Sequence, residues 1–492
     1  MPRRERDYPE GMDHEAMDLY LRDSSHRGAA LSGGFDGAAG GAPCGDLVRL
    51  SVVLERGRVA RVSFDAEGCA TVNAAAAAAA EFADGEPALD LARIGPDEIA
   101  AALGGIGPQG RHAAELAADA LHRALAAAAG SETALATPPA SGERVLVALS
   151  GGVDSAVAAL RERERGAEVV AVTLKLWADR RTDATRSCCS PLAVLGAREL
   201  AHSLGIAHFT LDLEADFRAR VVDGFVSGYR AGRTPNPCVI CNGELRIDAM
   251  LALADRLGCS ALATGHYARL VDDGEGPLLT AAADPAKDQT YMLSGLRPAS
   301  LARLRFPLAE LTKPEVRALA AEAGLPVAAK AESQDLCFLA GEGKRGFLAR
   351  NGGLSERPGP IVDRRGRRLG EHRGHHEFTV GQRRGIGLGG PEPLYVLATD
   401  ARANEVMVGT REDLARRRVR VREATLHRPG GRVDRVRLRY HAKPLACELP
   451  GVPAGRHDEL ELELAEPAHG VAPGQTACLM SGDVVVGRAT IA

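Results

Sequence analysis

Two cysteines two residues apart, Cys238 and Cys241, follow Pro235 and Pro237 in the stretch RTPNPCVICNGEL (233–245). Proline fixes φ and disfavours helix at the residue before it, so the segment reads as an extended loop presenting its side chains. In a reducing compartment a Cys-x-x-Cys pair points to metal, redox or sulfur chemistry rather than a structural disulfide. A second chemistry-bearing cluster is VALSGGVDSAVAAL (147–160), where Ser150, Gly151, Gly152, Asp154 and Ser155 fall where an apolar strand turns into a helical pattern. Two glycines let the backbone approach an anion closely, and the free N–H groups at the positive helix end favour pyrophosphate. Ser150 and Ser155 add hydroxyl donors, and Asp154 can hold Mg²⁺ against phosphates. No lysine follows in the Walker spacing, so this is a phosphate loop of another kind.

The elements that must position these residues divide the chain. Residues 131–142, SETALATPPASG, are small, polar and proline-containing and read as a linker. Before it, residues 1–130 run as a helix (Met12–Asp23), two strand-like stretches (47–55 and 58–65) and Ala-rich helices, an α+β order. After it, residues 143–345 alternate strands (144–150, 168–177, 207–213, 261–270) with helical patterns. That rhythm predicts a doubly wound parallel sheet of α/β type. From about 350 the pattern changes to short strands with Gly and Pro turns. Residues 346–408 are expected to form a small β-rich central domain and 409–492 a β-barrel-like domain. GIGLGG (385–390) lacks both the spacing and the strand–helix context of a dinucleotide fingerprint and reads as a loop.

Composition narrows the setting. Ten cysteines in 492 residues is not the density of a disulfide scaffold. Residues 1–23 are charged throughout and no run of about 18 apolar residues occurs, so a cytoplasmic protein with no membrane partner is expected. The formal net charge of −4 hides an asymmetry: residues 1–130 carry −8 and residues 341–440 carry +11. The basic block points to a polyanion, against the plainer reading of a solvated Arg-rich face. Cys259, Cys447 and Cys478 sit in apolar runs and are expected in the core. The neighbours Cys188 and Cys189 are read as bystanders near the nucleotide.

The phosphate loop resembles that of the N-type ATP pyrophosphatases, which split ATP to AMP and pyrophosphate. With it, GRTPNPCVICN (232–242), ATGHYARL (263–270), KDQTYML (287–293), ESQDLCFL (332–339) and FTVGQRRGIGLGG (378–390) together resemble the tRNA-specific 2-thiouridylases, over about 143–492. The resemblance implies adenylation of O2 of a wobble uridine, displacement of AMP by sulfur, and 2-thiouridine as product, with ATP and Mg²⁺ as cofactors. It assigns Ala148, Leu149, Ser150, Gly151, Gly152, Val153, Asp154, Ser155, Leu174 and Gly265 to ATP. Leu174 stands where methionine is common in that family. Asn236, Pro237 and Cys238 would touch the target base, and Lys287, Asp288, Gln289, Arg439 and Tyr440 the tRNA. Cys241 takes the nucleophile position and Cys337 the persulfide position, and the two are implied to pair transiently as a disulfide. Many members carry an acid where this chain has Cys238. That departure leaves two sulfur routes open: a persulfide relay on Cys337 with Cys241, or Cys238, Cys241 and Cys337 holding a [4Fe–4S] cluster with one open iron. A structural zinc lacks a fourth ligand nearby in sequence.

Residues 12–130 resemble the iron–sulfur cluster assembly scaffolds through GAPCGDLVRLSV (41–52), FDAEGCATVNAAAA (64–77) and RHAAELAADALHRAL (111–125). The resemblance implies a zinc or cluster site on Cys44, Asp46 and Cys69. Ala113 stands at the third cysteine position, beside His112, so the four residues Cys44, Asp46, Cys69 and His112 form a mixed ligand set, or the domain only docks a cysteine desulfurase. A sulfur-trafficking module tied to a sulfur-using enzyme raises the local donor concentration. The partners implied are tRNA and a cysteine desulfurase or other sulfur donor, not DNA. The competing reading is a cluster scaffold or carrier whose nucleotide domain only gates delivery.

Overall fold

The structure is a computed structural model that describes residues 14–41, 45–105, 107–177, 191–331, 336–339, 342–389 and 392–492. Met12 and Asp13 of the expected first helix, Cys44, Cys188 and Cys189 lie outside the described residues.

The front domain opens with the helix His14–Arg22, followed by an antiparallel sheet of Phe35–Gly40, Leu47–Glu55 and Arg58–Glu67 in that spatial order. Helices Ala70–Ala83 and Pro108–Ala129 cover one face. The run Ala74–Ala80 is buried on every side, because methyl side chains let helix and sheet approach closely. The strand Phe35–Gly40 has little β propensity and was not anticipated. It is set by packing: a Cβ on Gly37 would overlap the backbone of Ala120 and Ala124.

The second domain is a five-stranded, wholly parallel sheet in the order Leu304–Arg305, Ala261–Thr264, Arg144–Ala148, Glu168–Lys175, Ala207–Asp212. Strand order reverses between Arg144–Ala148 and Ala261–Thr264, the switch point where ligands enter such sheets. The expected strand 261–270 is two. Ala261–Thr264 stays in the parallel sheet, whereas Arg269–Asp272 pairs with Pro277–Thr280 as a hairpin that joins the C-terminal sheet through Val484–Ile491. The break falls at Gly265.

The central domain is a four-stranded sheet, Arg368–His372, Gly359–Val362, Glu405–Gly409, Tyr395–Asp400. The last domain is a barrel of six strands, Ala415–Leu426, Gly455–His469, Leu445–Glu448, Arg435–Arg437, Thr476–Ser481 and Val484–Ile491, closed by pairing of the first with the last. Closure leaves that domain no open edge of its own.

The segment 131–142 is not a free tether. Leu135 is fully buried, and the N–H groups of Leu135 and Ala136 both donate to Arg256 O, at 2.8 and 3.1 Å. One apolar core runs through both flanking domains. Helix Pro108–Ala129 lies across the edge strand Ala207–Asp212, and His208 N–H donates to Ala92 O at 2.9 Å. Arg198, mostly buried, pairs with Asp119 at 3.1 Å, and the His122 and His202 rings stand 5.2 Å apart. The polar composition that made the segment look like a linker hid one leucine that pins it.

Candidate active site

The phosphate loop caps the helix Val153–Glu164, with Gly152 as N-cap. Gly151 holds φ +68°, the left-handed region that glycine adopts at no steric cost. Ser155 Oγ accepts from Ser150 N–H at 3.1 Å and donates to Gly152 O at 3.0 Å, so the loop is braced before any ligand arrives. Ala148 ends the strand, Leu149 N–H donates to Val172 O at 2.8 Å, and Leu174 lies buried on the neighbouring strand. Gly265 fits because nothing else would: its Cβ would stand 2.8 Å from Asp154 C and Ser155 N.

Asp154 does not face the loop alone. Lys313 Nζ lies 2.6 and 2.8 Å from its two oxygens, and Tyr267 OH donates to Oδ1 at 2.8 Å. Lys330 Nζ donates to Gly151 O at 2.8 Å. Neither lysine was anticipated, since both lie far along the chain. The carboxylate fits an Mg²⁺ role by chemistry and position, with Lys313 as the charge it balances in this structure.

The Cys-x-x-Cys stretch is a helix, not an extended loop. Asn236 is the N-cap, with Oδ1 accepting from Val239 N–H at 3.4 Å. Pro237–Cys241 forms the first turn, Asn242–Arg246 continues with π-type bonding, and Ile247–Arg256 completes the helix. Pro237 occupies the first helical position, where a missing N–H costs nothing and the fixed φ helps. The helix start is electropositive and favours a thiolate. Burial opposes that at Cys238 and pushes its thiol up, against the pull of Arg246. Cys241 is buried in the core, and Cys337 packs against the same core. Both stand as reduced thiols.

Arg246 lies on the same helix, where its Nη1 donates to Asn242 Oδ1 at 3.3 Å. Its charge is felt by Cys238 and by His266, the residue after Gly265. Burial, with Arg246 adding to it, holds His266 neutral, its pKa pushed down to about 3, and Nδ1 is 2.9 Å from Thr264 Oγ1.

Around Asn236–Cys238 lies a shelf built from the same domain and from the C-terminal barrel domain. Tyr291 bonds Asn236 and donates its OH to Thr476 O at 2.9 Å. Tyr440 stacks obliquely on Tyr291 at 6.1 Å, and burial pushes its pKa up. Arg439 donates to Val380 O at 2.8 Å and to Gly470 O, fixing the loop that carries the exposed Arg383 and Arg384. Of the remaining expected tRNA residues, Lys287 is half-buried. Asp288 is buried in an ion pair with Arg437 at 2.9 Å, and Gln289 Oε1 accepts from Tyr267 N–H at 2.9 Å. Asp288 and Gln289 therefore hold the shelf together. The basic block is also partly countered: Arg418 and Arg420 face Glu461 and Glu459 across the barrel sheet.

Of the expected front-domain set, Cys44 lies outside the described residues. Among the described residues no three His, Cys, Asp or Glu side chains converge to hold an ion, Cys238, Cys241 and Cys337 included. In the front domain Cys69 is exposed at the N-cap of Ala70–Ala83, and a Cβ on Gly68 would overlap Asp46 Oδ1, so Asp46 and Cys69 are near neighbours. His112 is half-exposed and 3.9 Å from Glu115.

A phosphate loop at the switch point of a parallel sheet, with two thiols on an adjoining core, defines an ATP-using enzyme of the pyrophosphate-loop class. Residues 143–341 match the tRNA methyl transferase HUP domain family, 345–410 its PRC-barrel domain, 427–491 the aminomethyltransferase beta-barrel domain and 12–133 the NifU-like N terminal domain. The bifunctional protein NifU/MnmA of Rubrobacter xylanophilus is 46% identical over 93% of this chain and 93% of its own. The tRNA-specific 2-thiouridylase MnmA of Sorangium cellulosum is 45% identical over 72% of this chain and 93% of its own. Among solved structures, a 4-thiouridine synthetase–RNA complex with bound ATP matches 40% of this chain and 45% of that one at 20% identity and TM-score 0.25. A putative iron-sulfur cluster assembly scaffold protein from Fervidobacterium islandicum matches 23% of this chain and 94% of that one at 18% identity and TM-score 0.19. The chain belongs to the NifU/MnmA family.

Proposed function

We propose that this chain is an ATP-dependent tRNA 2-thiouridylase with a built-in sulfur-trafficking domain. The observation that carries the reading is the braced phosphate loop, with Gly265 packed on its Asp154–Ser155 backbone, in a chain 46% identical over 93% of its length to a bifunctional NifU/MnmA protein. A uracil carbonyl oxygen is a poor leaving group. O2 of the wobble uridine attacks the α-phosphorus of ATP, the bond to the β-phosphate breaks, and pyrophosphate leaves with the electron pair. The phosphate loop binds the nucleotide through backbone N–H groups and Ser150 and Ser155. Asp154 is the carboxylate that would hold Mg²⁺, which supplies charge neutralisation on the phosphates. Asn236, Pro237 and Cys238, backed by Tyr291 and Tyr440, meet the unstacked base.

Sulfur arrives as a persulfide on Cys337. Its terminal sulfur attacks C2, AMP departs with the former O2, and Cys241 then attacks the Cys337 sulfur. The S–S bond breaks, the thione is left on the base, and a Cys241–Cys337 disulfide forms that an external dithiol must reduce. The persulfide route is favoured over the cluster route because, among the described residues, Cys238, Cys241 and Cys337 do not converge. The sulfur donor is a cysteine desulfurase or an equivalent persulfide carrier.

The test is nucleoside mass spectrometry on unmodified tRNA incubated with ATP, Mg²⁺, a reductant and a desulfurase. The intact protein is expected to form 2-thiouridine, Cys241→Ala and Cys337→Ala none, and Cys238→Ala a measurable amount. A Cys238→Ala variant as inactive as the other two would return the cluster route to first place. ATP turnover by the intact protein without any thionucleoside would sink the thiolation reading.

A further inference from the structure

We propose that Lys313 and Lys330 are the pyrophosphate-binding cations of the phosphate loop, and that Lys313 exchanges Asp154 for pyrophosphate when nucleotide enters. The inference rests on the adenylation step above. The loop itself supplies hydroxyls, N–H groups and one carboxylate, but no cation. An ATP polyphosphate needs positive charge beyond one Mg²⁺, and most of all as the bond to the leaving pyrophosphate breaks.

The chain uses arginine almost everywhere: lysines are 6 of its 61 basic residues. Two of those six meet at this loop from separate elements. Lys313 begins the helix Lys313–Glu322, whose start is fixed twice. Thr312 and Glu315 form a capping box, and Lys313 N–H donates to Asp284 Oδ2 at 3.0 Å. Its side chain is 9% exposed and ends on both oxygens of Asp154. Lys330 ends on Gly151 O, the carbonyl of the left-handed glycine.

The residue type is itself informative. An ammonium is a compact charge on a flexible stem that can change partners within a narrow space, whereas a guanidinium needs an in-plane fork of acceptors. In this structure the Lys313 charge offsets Asp154. Asp154 is the carboxylate that would hold Mg²⁺, and a Lys313 ammonium that gives it up would find its new counter-charge on the polyphosphate. Lys330 needs no exchange of one anion for another, since the partner it holds on the loop is a carbonyl oxygen. During adenylation the electron pair of the breaking P–O bond passes to the pyrophosphate oxygen. The two ammonium groups stabilise that charge without any proton moving.

The experiment measures binding of inorganic pyrophosphate, ATP and AMP to the full-length protein with Mg²⁺, by calorimetry, for Lys330→Gln, Lys313→Gln and Lys313→Arg, with thermal melts to confirm folding. Pyrophosphate and ATP affinity are expected to fall about tenfold or more in both glutamine variants, while AMP affinity stays within about twofold. ATP–pyrophosphate exchange should fall with them, and Lys313→Arg should not restore it. Should Lys313→Gln fail to fold, Lys330→Gln, which leaves Asp154 paired, decides alone. Equal losses for AMP and pyrophosphate, or no loss of pyrophosphate binding, overturn the inference. If the variants lose pyrophosphate selectively but the intact protein makes no 2-thiouridine, the thiolation reading fails and the lysine assignment stands.

Discussion

Gly265 gives the most direct test of the nucleotide loop at the scale of one residue. An added methyl there would press on the Asp154–Ser155 backbone, which cannot yield without moving the loop. Gly265→Ala is expected to cost about 1–3 kcal/mol of stability, the usual range for overpacking, and to weaken ATP binding strongly. Melting curves and ATP titration check both. The serines and glycines of this loop were legible in the sequence because the chemistry is contained in six consecutive residues. Lys313, Lys330 and Arg246 were not, because their roles depend on which segments the sheet brings together. The only trace of the two lysines in the sequence is the scarcity of lysine, and Arg246 leaves none among so many arginines. Asp288 illustrates the reverse difficulty: a carboxylate that reads as a contact residue is engaged by Arg437, a partner in another domain.

Among the elements, the cysteine helix and the aromatic wall set where the thiols stand. The prolines at 235 and 237 misled because they stop a helix that would end there but start one equally well. Replacing the cap, Asn236→Ala, should cost about 0.5–1 kcal/mol by chemical denaturation. The segment bearing Cys337 is anchored by its neighbour. Phe338 is 1% exposed and packs edge-on against Phe217 and Phe225 and obliquely against Phe347. Trp177, the one tryptophan of the chain, touches Phe217 and Phe347 in turn. Phe338→Ala is expected to destabilise by about 3–5 kcal/mol if the site cannot collapse. It should alter tryptophan emission and abolish thionucleoside formation while ATP binding survives. Loss of ATP binding as well would place the damage in the whole domain rather than in the positioning of Cys337.

For the whole molecule, the alternation of strands and helices announced the parallel sheet, and short strands with turns announced the barrel. What composition could not announce was docking. His122, His202 and His208 lie between the front domain and the sheet, and burial lowers the pKa of all three, with Arg198 adding to it. The groups facing them include Asp119, paired with Arg198, and Glu98 beside His202. Each histidine is thus favoured neutral when folded, while the unfolded chain takes up protons below about pH 6.5. Where the unfolded state binds more protons, stability rises with pH. Thermal stability should therefore fall as pH drops from 7.5 to 5, less steeply in His122→Gln. A flat profile in the intact protein would deny these histidines that role.

The strand Ala207–Asp212 ends its sheet, and its outer row of N–H and C=O groups would be open but for the front domain. Ala92 O accepts from one of those donors, His208 N–H, and helix Pro108–Ala129 packs against the strand. An uncovered strand edge is a template on which another chain can add. The front domain thus covers the open edge of the parallel sheet. A chain cut within 131–142 is expected to expose that edge; a rear portion that sediments as larger species than the intact chain would show that the edge needs its cover, and a monodisperse one would show that it does not.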